Sequence, residues 1–327
     1  NKKIKDTTKL KSSLSTINYL LKQHCTIIIA SHLGRPKGKV VPSLRMNPIA
    51  NALQKMLPKV TIKKLDDCIG KKVNEKIKKI VVKNTKLNQN KKRTTQKQTI
   101  ILLENVRFYS EELENDYAFA HSLANLAQFF INDAFGAIHR NHASISAITK
   151  FLPAAPGFLV QTEILTLQHI LRPKKPAIWI IGGAKLDKID LFESALEKAD
   201  NILVGGALCF SFLKAKGIGV GHSKIDNNTI KIAKKILKHK NAKKIVLPID
   251  FVTAKTMSTI AKRKTKAYND ISPDEIALDL GPKTSNLFDH YIQKANTILW
   301  NGPLGYIELT PYQKGTKKLI ASIVKSK

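Results

Sequence analysis

The sequence is poor in cysteine, poor in acidic residues and free of long apolar runs. Its cysteines, Cys25, Cys68 and Cys209, lie far apart and form no Cys-x-x-Cys pair. Neither a disulfide framework nor a zinc site is supported, and a reducing, cytoplasmic setting fits best. Apolar stretches such as Cys25 to Ala30 and Ile178 to Ile181 fall far short of the roughly 18 residues that suggest a membrane span, and no signal-peptide pattern opens the chain. A soluble protein is expected. There is no Gly-x-x-x-x-Gly-Lys-Ser/Thr loop, and Gly217-Ile218-Gly219-Val220-Gly221 is not a Gly-x-Gly-x-x-Gly fingerprint, so any nucleotide site is of another design.

What is present points to two folded bodies. The chain has 327 residues, 43% of them apolar; at roughly 150 residues per domain this supplies two buried cores. Lys and Arg outnumber Asp and Glu by 56 to 24, for a net charge of +32, which attracts anions of any kind without choosing among nucleic acid, acidic membranes and phosphorylated metabolites. Most of the excess is dispersed lysine and reads as solvated surface. The segment Lys83 to Lys97 reads as a long exposed loop; it has no aromatic side chain on which a base would stack, so a solvated insertion is favoured over an RNA contact.

Short apolar runs, most ending in polar or glycine-bearing loops and followed by helical patterns, predict parallel sheets with crossover helices. Thr26 to Ala30 runs into Ser31-His32-Leu33-Gly34-Arg35-Pro36, Thr99 to Leu103 into Glu104-Asn105-Val106-Arg107, and Gln128 to Ile131 into Asn132-Asp133-Ala134-Phe135-Gly136. The second half repeats the plan. Ala177 to Ile181 precedes Gly182-Gly183-Ala184-Lys185, Ile202 to Val204 precedes Gly205-Gly206, and Thr297 to Trp300 precedes Asn301-Gly302-Pro303. Between the halves, Ala154-Ala155-Pro156-Gly157 breaks the pattern and a helical stretch from Thr162 to Leu171 follows, a natural hinge.

Ligands of open parallel sheets bind at the carboxyl ends of the strands, so these loops are the candidate sites. In the first half they deliver Arg35, Arg107 and Arg140, with His32 beside Arg35. Guanidinium groups pair bidentately with phosphate and carboxylate, and several at one sheet edge would hold a small phosphorylated acid. In the second half, glycines at 182, 183, 205 and 206 would admit a nucleotide to the backbone, with Lys185 and Lys188 to neutralise its phosphates. Asp66-Asp67, ahead of Cys68-Ile69-Gly70, reads as turn or capping residues, and no metal-ligand spacing is found among the histidines.

Taken in order, Ser31-His32-Leu33-Gly34-Arg35-Pro36, Leu102-Leu103-Glu104-Asn105-Val106-Arg107-Phe108, Asn132-Asp133-Ala134-Phe135-Gly136 with His139-Arg140, Gly182-Gly183-Ala184-Lys185, Leu247-Pro248-Ile249-Asp250-Phe251-Val252, Leu278-Asp279-Leu280-Gly281-Pro282 and Trp300-Asn301-Gly302-Pro303 resemble phosphoglycerate kinase over nearly the whole chain. The resemblance implies an α/β protein of two Rossmann-like domains with parallel sheets: an acid-binding domain over 1–157, a hinge helix over 158–171, and an incomplete nucleotide-binding domain over 172–327. It implies a cytoplasmic monomer that moves a phosphoryl group between 1,3-bisphosphoglycerate and magnesium ADP, giving 3-phosphoglycerate and ATP. Carried over by position, His32, Arg35, Arg107 and Arg140 hold the acid, Lys185 the nucleotide phosphates, Gly205, Gly206, Asn301 and Pro303 the base and its surroundings, and Glu308 the ribose hydroxyls. Positioning and charge neutralisation would then carry catalysis, in a cleft closed about the hinge.

The sequence departs from the family at four places. The first strand, with its Arg-Val-Asp-x-Asn-x-Pro pattern, has no counterpart, nor have two C-terminal glycine-rich loops, one of which carries an Asp that helps hold magnesium. A fragment of a longer protein is expected, with a shortened gene product as the alternative. Lys9 stands where the family has its catalytic Arg; it keeps the charge and loses the planar fork, at a cost of about 2–4 kcal/mol in the transition state. Lys185-Leu186-Asp187-Lys188-Ile189 is one residue shorter than the family's spacing, which puts the register of Lys188, the other candidate catalytic lysine beside Lys185, in question. A divergent member that binds ligands with little turnover, and a nonspecific nucleic-acid binder whose affinity falls steeply with salt, are the competing readings.

Overall fold

The computed structural model describes residue 4 and residues 6–89, 97–184 and 189–326. The chain divides into two compact units, residues 1–166 and 167–327.

In the first unit, helix α1 (Thr8–Lys22) is preceded by Asp6, whose carboxylate accepts from the Thr8 N–H at 2.8 Å and its hydroxyl at 2.6 Å. Strand β1 (Ile28–Ser31), helix α2 (Asn47–Met56), strand β2 (Thr61–Lys64), helix α3 (Lys71–Gln89) and strand β3 (Thr99–Asn105) follow. The sheet has the order β1-β3-β2, all parallel. Every residue of the central strand β3 is buried, as expected of a strand covered on both faces. Its side chains alternate: Ile100 packs with Ile17, Ile27, Leu57 and Val60, while Ile101 and Leu103 pack with Leu65, Val73, Ile77 and Phe119. Helices α4 (Ser110–Leu113) and α5 (Tyr117–Ala124), the parallel pair β4 (Phe130–Asn132) and β5 (Ala154–Pro156), and helix α6 (Phe158–Leu171) complete the sequence of elements up to the second unit.

The reading of Lys83 to Lys97 as a loop is corrected. Helix α3 continues to Gln89, because Ile77, Ile80 and Val81 carry an apolar stripe onto the core and Asn84 is buried and paired. The Asn84 amide donates to the Thr99 carbonyl at 2.8 Å and accepts from the Thr99 N–H at 3.0 Å. Residues 90–96 lie outside the described residues.

The second unit contains β6 (Ala177–Ile181), α7 (Ile189–Lys198), β7 (Asn201–Val204), α8 (Leu208–Ala215), α9 (Asn227–Leu237), β8 (Ile245–Val246), β9 (Asp250–Ala254), β10 (Lys264–Ala267), β11 (Ile276–Leu280), α10 (Pro282–Ile292), β12 (Thr297–Asn301) and α11 (Lys314–Lys325). One sheet runs β12-β6-β7-β8, parallel throughout, over a core that includes Phe192, Leu196, Phe212 and Phe288. A second sheet, β10-β9-β11, is antiparallel. Residues 255–263 reverse the chain from β9 into β10, and 268–275 carry it to the other side of β9, where β11 runs parallel to β10. Among the described residues no helix is long and apolar enough to cross a membrane.

Candidate active-site loops

In the first unit the register Ser31↔Asn105 brings the ends of β1 and β3 side by side, so the loop bearing His32 and Arg35 emerges next to the turn bearing Arg107. Asn105 ties them together: its amide donates to the carbonyls of Leu33 at 2.8 Å and Leu44 at 2.9 Å, and its side-chain oxygen accepts from the Arg107 N–H at 3.2 Å. Behind it, Glu104 is buried and paired with Lys64 at 2.8 Å and Arg45 at 3.1 Å. Arg107 is only 4% exposed. Its Nη1 donates to the Gly34 carbonyl at 3.1 Å, while its Nε and Nη2 are buried with no hydrogen-bond partner. A guanidinium with two buried unpaired donors is costly unless an acceptor comes to it.

The charges around Arg107 share one sign. Burial presses its pKa down, and so do the charges of Arg140 and Arg35, with Glu112 opposing them. His32 is pushed down from 6.5 to about 4, first by desolvation and then by Arg107, Arg140, His142 and Lys9. His142 is lowered by burial, Arg107, Arg140 and His139. Such mutual repulsion is relieved by an anion carrying more than one negative charge. Lys9 sits exposed in the first turn of α1, and its charge reaches His32.

In the second unit the level register Asn301↔Ile181 and Ile181↔Val204 sends three loops out together from β12, β6 and β7. Their backbones interlock: the Gly182 N–H donates to Asn301 O at 2.8 Å, Gly183 N–H to Pro303 O at 2.8 Å, and Gly206 N–H to Leu304 O at 3.1 Å. Gly206 has φ +62°, and a Cβ there would stand 2.6 Å from the Gly183 nitrogen and 2.7 Å from the Pro303 carbonyl oxygen. Gly302 has φ +90° with the Gly182 backbone equally close, and the Trp300 indole N–H closes that turn on the Gly302 carbonyl at 2.7 Å. The result is a surface of bare backbone.

The sequence pattern of the phosphoglycerate kinase family matches residues 1–327. A phosphoglycerate kinase of Finegoldia magna is 42% identical over 99% of this chain and 80% of its own length, and one of Rubrobacter xylanophilus is 39% identical over 99% and 78%. The solved phosphoglycerate kinase of Coxiella burnetii superposes with a TM-score of 0.81 at 32% identity, covering 100% of this chain and 79% of that one. This chain belongs to the phosphoglycerate kinase family. The fold is the family's mixed α/β architecture, and the family's members are phosphotransferases.

With the family fixed, the candidate residues sort by place. His32, Arg35, Arg107 and Arg140 act on one another electrostatically within the first unit, with Lys9 at the edge of the group. Gly205, Gly206, Asn301 and Pro303 meet in the second unit, and Glu308 lies further along the Pro303 loop, exposed. Lys185 and Lys188 fall outside the described residues. Sequence reasoning missed His142 and Glu112. His142 was in reach: His139-Arg140-Asn141-His142 places a second imidazole just beyond the arginine. Glu112 carried no signal, since its burial against the 142–144 turn is a tertiary event. Asp67 proves to be a turn residue that accepts from the Cys68 N–H at 2.8 Å and the Tyr109 hydroxyl at 2.5 Å. The concavity of about 460 Å³ whose lining includes Lys71, Asn74, Glu75 and Lys78 contains none of the candidate residues.

Proposed function

We propose that this chain catalyses reversible transfer of the acyl phosphate of 1,3-bisphosphoglycerate to ADP, with each unit holding one ligand. The observation that carries the reading is the buried Arg107 guanidinium, two of whose donors lack partners, among Arg35, Arg140 and His32. In this reading Arg35, Arg107, Arg140 and His32 hold the phosphate and carboxylate of 3-phosphoglycerate, and Lys9 supplies charge beside the phosphoryl group. Gly205, Gly206, Asn301 and Pro303 seat the base of the nucleotide and its surroundings, Glu308 meets the ribose, and Lys185 and Lys188 face its phosphates.

Residues 1–157 form the acid-binding domain in this account, 158–171 the hinge helix and 172–327 the nucleotide domain, in a cytoplasmic monomer. Magnesium would enter on the nucleotide's own phosphate oxygens, where it neutralises charge. The protein's part is to orient the two ligands and to present fixed donors to the moving charge.

The test is turnover of 3-phosphoglycerate with magnesium ATP, read by coupled reduction of the acyl phosphate, beside calorimetry of Arg107→Lys. Nucleotide-dependent turnover is expected, and Arg107→Lys should weaken 3-phosphoglycerate binding by about 1.5–3 kcal/mol, roughly 10- to 150-fold, since the lysine cannot present the same planar fork. Absent turnover together with unchanged affinity in the variant would remove the reading.

A further inference from the structure

Cations gathered as closely as those around Arg107 repel one another, and the turn carrying Arg140 and His142 needs an anchor to stay beside them. Glu112, on α4, supplies three hydrogen bonds and one ion-pair contact to that turn. Its main-chain carbonyl accepts from the Ala143 N–H at 2.9 Å. Its carboxylate accepts from the Ser144 N–H at 2.9 Å and the Ser144 hydroxyl at 2.7 Å, and lies 3.6 Å from His142 Nδ1. The residue is 2% exposed, and burial raises its pKa while the Ser144 bonds and the Arg107 charge lower it. On Arg107 it acts against Arg140 and Arg35. Further along this clasp, the Asn115 side chain accepts from the Ala147 N–H at 3.1 Å.

We infer that Glu112 is the positioning residue of the acid site: it clamps the His142–Ser144 turn so that Arg140 and His142 face the same anion as Arg107. The inference rests on the reading of the first unit as the 3-phosphoglycerate site. Glu112 does not itself touch the acid; it is a buried carboxylate whose pairing sets where neighbouring cations stand, and a network of this kind holds its geometry only when every member is satisfied. Glutamine keeps the shape and one acceptor for the Ser144 N–H, and the Ser144 hydroxyl can turn to accept from the new amide. Alanine leaves both Ser144 donors without that partner.

The experiment compares wild-type protein with Glu112→Ala, Glu112→Gln and Ser144→Ala, titrating each calorimetrically with 3-phosphoglycerate, with inorganic sulfate and with ADP. Glu112→Ala should bind 3-phosphoglycerate on the order of tenfold more weakly, as expected for a lost charged hydrogen-bond pair, with ADP binding unchanged. Glu112→Gln should recover most of that loss, Ser144→Ala should reproduce part of it, and sulfate, which one arginine can hold, should change little. In Glu112→Gln the His142 ring, faced by Arg107, Arg140 and His139, should titrate lower than in wild type, because the opposing charge is gone. Wild-type 3-phosphoglycerate affinity in Ser144→Ala, with an unmoved His142 titration in Glu112→Gln, would overturn the inference even if Glu112→Ala failed to fold. If wild-type protein itself did not bind 3-phosphoglycerate, the reading of the site would fall instead.

Discussion

Arg107 and His32 show how the sheet turns sequence into electrostatics. Both leave strand ends that pair in register, and both are held where their own charge is disfavoured. For His32 the folded ring sits near 4 against an ordinary 6.5, so the unfolded chain binds its proton at the higher pH. The stability it contributes is complete above about pH 6.5 and is lost as pH falls through about 4. Solvent reaches the ring and screens these charges, so the titration itself is the better readout. The His32 ring should titrate near 4 in NMR spectra and move upward when 3-phosphoglycerate is added, since the anion offsets the arginines; a ring that titrates at its ordinary value and ignores the acid would contradict the clustering. Arg35, Arg107 and Arg140 were legible in the sequence because each follows an apolar strand. Glu112 was not, because α4 gives no hint that its carboxylate is buried on a turn some 30 residues away in the chain.

At the scale of elements, the described part of the second unit's proposed site is backbone, so its weak points are glycines. Gly206→Ala places a methyl group against the Gly183 nitrogen and the Pro303 carbonyl and also forces a positive φ. It should lower the melting temperature and abolish ADP binding, because the three loops from β6, β7 and β12 cannot interlock around a Cβ. Gly217→Ala is the matched control: its φ is +81° with nothing within 4 Å of the added methyl. That change should cost only about 1 kcal/mol and leave ADP affinity alone. Equal losses in the two variants, measured by thermal melts and calorimetry, would mean that backbone conformation and not loop contact is what matters. The parallel strands and their loops were read from apolar runs. The continuation of α3 was not, since the same lysine and asparagine content serves a solvated helix face as well as a loop, and only the pairing of Asn84 with Thr99 decides. The antiparallel β10-β9-β11 sheet was likewise hidden, because β10 and β11 follow each other closely in the chain yet pair on opposite sides of β9, a choice no local pattern records.

For the whole molecule, a net charge of +32 makes attraction of anions certain and says little about which ones are held. Specific sites and diffuse attraction separate by location: a solvated lysine surface slows exchange nowhere in particular, whereas built sites protect the loops that form them. In the proposed function the acid sits in one unit and the nucleotide in the other, each on loops that leave the carboxyl ends of a parallel sheet. Hydrogen exchange with each ligand added separately, at moderate salt, tests that division most directly. 3-Phosphoglycerate should slow exchange at 32–38, 105–109 and 139–144 and leave 182–184, 205–208 and 301–306 unchanged, while magnesium ADP should do the reverse. Protection of the same segments by both ligands, or by neither, would contradict it.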